Sequence, residues 1–329
     1  MKQLYRRLSQ VGFTKPYLKK VAALPDWWDD ALAENPVGYA QCLMRLSRHL
    51  GLDIRSLEST GSIRVKDFGV CKFKKRAGTT TDELQLSRAI ATRAAQFAAA
   101  ATTTPYDPIP LAAELRQRVL ESAPWVGLNE LLAHCWGAGV PVLHVNLFPN
   151  KTKRPDGFTL RVAERPVIVL CREERQPAWL LFILAHELGH IACDHVPVGG
   201  AVFDERMYDN EPDTEEEEAD RYAVELLTGA AGTRISADGR WPNAQQLTDL
   251  ARAFGKRNGI DPGHAVLNYA HTMGASFFPV ARAALNLLHP NPDAIGQVRD
   301  ALAAHLDWSR LPEAASEFLV RVTRQEQDG

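Results

Sequence analysis

Residues Trp179 to Ala192 read Trp-Leu-Leu-Phe-Ile-Leu-Ala-His-Glu-Leu-Gly-His-Ile-Ala, an apolar run that ends in two histidines and a glutamate. At about 3.6 residues per turn, a helix over this stretch stacks His186 and His190 on one face, as two ligands of a metal site would stand. Glu187, beside the first histidine, is then placed to take a proton from a water that the ion activates. A helix that is apolar on nearly every side belongs in a core, where two imidazoles and a carboxylate are costly without partners. A zinc ion satisfies all three. The chemistry expected is zinc-dependent hydrolysis.

Catalytic zinc takes three protein ligands and keeps one position open, so a third must come from another element. The metzincin extension is excluded, because it needs a glycine and a histidine where this chain has Cys193 and Val196. His195 falls off the ligand face and reads as a surface or loop residue. The stretch Glu215 to Leu227 has a helical pattern, with Ala219, Tyr222, Ala223, Leu226 and Leu227 facing inward. Glu216 lies one turn before Ala219 and Asp220 and shares that face, which makes it the expected third ligand. Asp220 is expected to hold a histidine ring by its N–H. Glu215 and Glu218 approach the same face and Glu217 points outward; an acidic run is favoured at a helix N-terminus by the dipole in any case. For the oxyanion of a tetrahedral intermediate, Tyr208, Tyr222, His264, Tyr269 and His271 are all candidate donors.

The strand pattern Pro-Val-Ile-Val-Leu before His-Glu-Leu-Gly-His, and Glu-x-x-Ala-Asp-x-x-Ala-x-x-Leu-Leu after it, resemble the ImmA/IrrE family of zinc-dependent metallopeptidases. The similarity runs from about Trp136 through Leu227, with Gly139-Val140-Pro141-Val142 and Asp156-Gly157-Phe158 fitting the opening strands. The segment Phe254 to Val266 is similar to a downstream segment of members fused to antitoxin-like regulators. The resemblance implies Glu216 as zinc ligand. It also implies intracellular, site-specific cleavage of a regulatory protein encoded nearby, often a helix-turn-helix repressor. The chain departs from the family at Thr228-Gly229-Ala230, which follows the Leu-Leu pair, and its N-terminal part matches only vaguely. The competing reading is a non-catalytic transcriptional or toxin–antitoxin regulator that uses the metal domain for sensing or partner binding. An intact Glu187 favours the enzyme, since structural zinc closes its fourth position and needs no base.

The elements around these residues divide the 329-residue chain into a mainly helical N-terminal domain (1–124), a metallopeptidase domain (125–275) and a helical C-terminal region (276–329). The fold class expected is α+β, a small antiparallel sheet packed on a zincin-type helical core. Strands are expected at 140–145, 158–162 and 166–170, and helices at 39–50, 82–101, 111–121, 128–136, 280–288, 294–306 and 313–323. Residues 43–57 have a helix-turn-helix cadence that a plain helical hairpin explains equally well, so DNA is a minor candidate partner of the N-terminal region. A basic cluster follows at Lys66, Lys72, Lys74, Lys75 and Arg76, in a strand-like stretch whose charges suit a solvated edge. Net charge is −2, which excludes the broad cationic field of non-specific nucleic-acid binding. Five scattered cysteines form no C-x-x-C pair and suggest neither a disulfide framework nor a cysteine zinc knuckle. Without a signal-peptide pattern or a long apolar span, a cytoplasmic protein with no membrane partner is expected.

Overall fold

The computed structural model describes residues 1–66, 71–73, 81–149, 155–198, 200–204, 214–233, 235 and 241–323. The N-terminal part contains α1 (Lys2–Gln10), α2 (Lys15–Lys20), α3 (Pro36–Leu50), α4 (Ile54–Glu58), β1 (Cys71–Phe73) and α5 (Thr81–Ala101). Then come α6 (Ala112–Leu120), α7 (Leu128–Gly137), β2 (Val142–His144), β3 (Gly157–Val162), β4 (Arg165–Leu170), α8 (Pro177–Ala192), β5 (Ala201–Asp204) and α9 (Thr214–Thr228). The chain closes with α10 (Ala244–Asn258), α11 (Pro262–Met273), α12 (Phe278–Leu288), α13 (Ala294–His305) and α14 (Glu313–Thr323). Local chemistry sets many of these limits. The Asn35 side chain accepts from Gly38 N to cap α3, and Gly51 ends it in the left-handed region at φ 64°. Of the basic cluster, Lys74, Lys75 and Arg76 lie outside the described residues.

The architecture is mixed α+β. The sheet has five strands in the order β1-β5-β3-β4-β2. Here the expected antiparallel sheet is corrected: only its middle, β5-β3-β4, is antiparallel, while β1 runs parallel to β5 and β2 parallel to β4. The reason is a skipped position. After β2 the chain leaves one strand's width vacant, and the β3–β4 hairpin, turning at a left-handed Ala163 (φ 52°), folds β4 back into it.

Both faces of the sheet are covered, so the strands are apolar in both phases of their alternation. Leu143, Phe158, Leu160, Val167 and Val169 pack into a core with α3, α5 and the C-terminal residues Phe318, Leu319 and Val322. Val142, Ile168 and Leu170 face the other way, into a core with α6, α7, α8, α9 and α13. A third cluster joins α10, α11 and α12 to Ala178 at the start of α8. The first core therefore draws on residues from Leu4 to Val322, and the last helices form part of the interior. No helix among the described residues is long and apolar enough to cross a membrane.

Candidate metal centre

The centre is built where α8 crosses α9. Helix α8 starts with Pro177 at its first turn, where a missing N–H costs nothing, and is buried along nearly its whole length. Its partner comes into backbone contact at Gly189. A Cβ there would stand 2.9 Å from the Ala219 carbonyl oxygen and 3.0 Å from Ala219 Cα, so only glycine lets the two backbones meet at this depth. That contact brings the first turn of α9, with Glu216, over the last two turns of α8.

The three expected ligands come together there. His186 Nε2 and His190 Nε2 are 3.1 Å apart, and the Glu216 carboxylate spans them, Oε2 at 3.2 Å from His186 Nε2 and Oε1 at 3.2 Å from His190 Nε2. Tetrahedral zinc with ligands at 2.0–2.1 Å holds neighbouring donor atoms about 3.4 Å apart, close to this triangle. Both histidines are buried, and Glu216 is 22% exposed, which opens the triangle on one side.

The surrounding hydrogen bonds fix which imidazole nitrogens carry hydrogen. Asp220 Oδ1, a carboxylate acceptor, lies 2.9 Å from His186 Nδ1, so Nδ1 donates and Nε2 is turned toward the triangle. His190 Nδ1 lies 3.0 Å from His195 Nδ1, and His195 Nε2 lies 2.9 Å from Glu218 Oε2. Glu218 can only accept, so His195 donates from Nε2 and accepts at Nδ1 from His190, which leaves His190 Nε2 facing the triangle as well. Burial, with a smaller contribution from the nearby His186, holds the His190 ring below its ordinary pKa, while Glu216 opposes this. Two imidazole nitrogens and a carboxylate thus converge within 3.2 Å, an arrangement that needs a proton or a cation among them, and whose donor set suits a divalent ion.

Glu187 points to the sheet side of α8. Its Oε2 accepts a 2.8 Å hydrogen bond from the Thr159 hydroxyl of β3, and the residue is 1% exposed. Gly157, also on β3, leaves room for it: a Cβ there would stand 2.9 Å from Glu187 Oε1.

The sequence expectation for His195, a surface or loop residue, holds as to the loop and fails as to the surface. It follows α8 in a turn but is buried, because Asp194 takes the left-handed conformation (φ 56°) and His195 N donates to the His190 carbonyl at 2.9 Å, swinging the ring beneath His190. Nothing in linear spacing announces such a turn. Thr159 and Arg116 were equally silent in the sequence. Arg116 is buried on α6 and donates to the carbonyls of Leu226 and Leu227 at the end of α9 and of Asn258 and Gly259 at the end of α10. One guanidinium so ties off two helix C-termini. Of the candidate oxyanion donors, Tyr222 gives its hydroxyl to the Pro110 carbonyl at 3.0 Å, Tyr269 lies edge-on to Phe277 in the third core, and His271 is exposed. His264 is buried against Phe182, one turn before His186, with the rings 6.0 Å apart and 5° from parallel. Tyr208 lies outside the described residues.

No protein-family model, no curated protein and no solved structure matches this chain.

Proposed function

We propose that this protein is a zinc-dependent, site-specific endopeptidase of the ImmA/IrrE kind, with a gluzincin-like site in a zincin-type core, acting in the cytoplasm on a regulatory protein. The observation that carries the reading is the triangle of metal-ligating atoms, His186 Nε2, His190 Nε2 and a Glu216 oxygen pair, with Glu187 next in sequence to the first. His186, His190 and Glu216 would hold the ion. When bound, zinc supplies Lewis acidity, polarising a peptide carbonyl and bringing the acidity of water near neutral pH.

The chain's own residues do the rest. Asp220 and the His195–Glu218 pair lock the two ligand rings with Nε2 inward and increase their basicity. Thr159 steadies the Glu187 carboxylate by donating to Oε2, and Glu187 accepts the proton of the attacking water and returns it to the leaving amine. The open side at Glu216 is where an extended segment of the substrate would enter. The test compares wild type with Glu187→Gln, both loaded with zinc, on lysate of the source cell, with new N-termini counted by mass spectrometry. A small set of new termini in the wild type and none in the variant is expected. Identical sets of termini from both would remove the hydrolytic reading.

A further inference from the structure

A second group of metal-binding atoms lies behind the first. Cys193 Sγ, a ring nitrogen of His195 and a Glu218 carboxylate oxygen stand within 4.8 Å of one another, with His195 Nε2 2.9 Å from Glu218 Oε2. The elements that build the first triangle also build this one: Cys193 ends α8, His195 sits in the turn that follows, and Glu218 is on α9 two residues beyond Glu216. His195 is buried and fixed through Nδ1 against His190, so its Nε2 is aimed outward at a set direction, while Cys193 and Glu218 are exposed and can adjust. A rigid imidazole flanked by a reachable thiol and carboxylate, open to solvent for a fourth ligand, has the composition of a site for a borderline or thiophilic divalent cation.

We propose that Cys193, His195 and Glu218 form a second divalent-metal site, for zinc or a similar ion, whose filling opposes the first. Binding releases the Cys193 proton to solvent and puts the ion where His195 Nε2 carries its hydrogen. The neutral His195 ring then keeps its one hydrogen on Nδ1. With an ion on His190 Nε2, that ring also carries its hydrogen on Nδ1, and the two N–H groups face each other across the 3.0 Å contact that one hydrogen now bridges. Once the first site holds an ion, the second is therefore weakened and fills in metal excess. It makes no demand on peptide hydrolysis, and holds whether or not the first site cleaves anything.

Cobalt(II) distinguishes the two, because only the second site offers sulfur. In wild type under a phosphine reductant, the first equivalent should give visible d–d bands without a thiolate-to-cobalt charge-transfer band, and that near-ultraviolet band should grow only in excess. Cys193→Ser should keep the first-site spectrum and lose the charge-transfer band, and Glu218→Ala should raise the cobalt concentration at its midpoint roughly tenfold or more. His186→Ala, which weakens the first site, should lower that midpoint. A charge-transfer band absent from both wild type and His186→Ala, or one that persists in Cys193→Ser, would overturn the site. A midpoint that does not fall in His186→Ala would overturn the opposition between sites. First-site d–d bands without sulfur transitions would end this proposal while leaving the proposed function untouched.

Discussion

At the scale of single residues, the chemistry of the site depends on where hydrogens sit. Glu187→Gln keeps shape and hydrogen bonding to Thr159 but cannot accept a proton, so zinc content should stay at the wild-type level while cleavage falls by about 10²–10⁴. Loss of zinc together with activity would instead make Glu187 structural. Thr159→Val keeps the volume of a fully buried side chain and removes the donor to Glu187 Oε2. It should slow cleavage with the metal retained and cost about 1–3 kcal/mol of stability in a denaturant titration, because a buried carboxylate loses a hydrogen-bond donor. His186, Glu187 and His190 could be read from the sequence because an i, i+4 pair on one helix is local geometry, and Glu216 and Asp220 because helical periodicity placed them on the face that bears Ala219. Thr159, His195 and Glu218 could not be read, since each acquires its role from a partner on another element or from a single left-handed residue.

At the scale of elements, the site is a matter of how closely two helices cross. Gly189→Ala inserts a methyl group at 2.9 Å from the Ala219 carbonyl oxygen, so α9 must retreat and carry Glu216 away from the histidines. Zinc affinity should fall at least tenfold, by competition against a chromophoric chelator, with secondary structure intact by circular dichroism; unchanged affinity would show that the crossing does not position the ligand. Arg116→Met leaves the terminal carbonyls of α9 and α10 without their shared donor and should destabilise the fold by roughly 2–4 kcal/mol. Most helices and the β3–β4 hairpin were legible because periodicity and turn residues are local, whereas α10 and α11 were not among the expected helices. The parallel edges of the sheet and the four-residue β5 were not, since strand order is decided by which gap a later hairpin fills.

At the scale of the whole molecule, the sheet joins parts of the chain far apart in sequence. Leu4, Leu46, Phe97, Phe158 and Phe318 share one core, so a fragment of residues 125–275 alone would expose the sheet face that α3, α5 and α14 cover. It should therefore aggregate or melt well below the full chain. Acid should act on the fold through His264. Burial, assisted by Arg116, pushes its pKa down to about 4, against about 6.5 in an unfolded chain. Between those values the unfolded state binds more protons, so stability is complete above about pH 6.5 and declines as pH falls toward 4. The decline from this one ring is on the order of 3 kcal/mol, and His264→Leu should abolish that portion of the pH dependence in urea titrations. Metal acts in the opposite sense, since an ion that binds only the folded triangle adds about 4 kcal/mol at a thousandfold excess over its dissociation constant. The most direct test of the central claim is calorimetric titration of metal-free protein with Zn2+ in the Cys193→Ser background, which leaves only the first triangle in play. One tight equivalent per chain is expected, lost on adding His190→Ala or Glu216→Ala; no tight equivalent, or one that survives both substitutions, would contradict it.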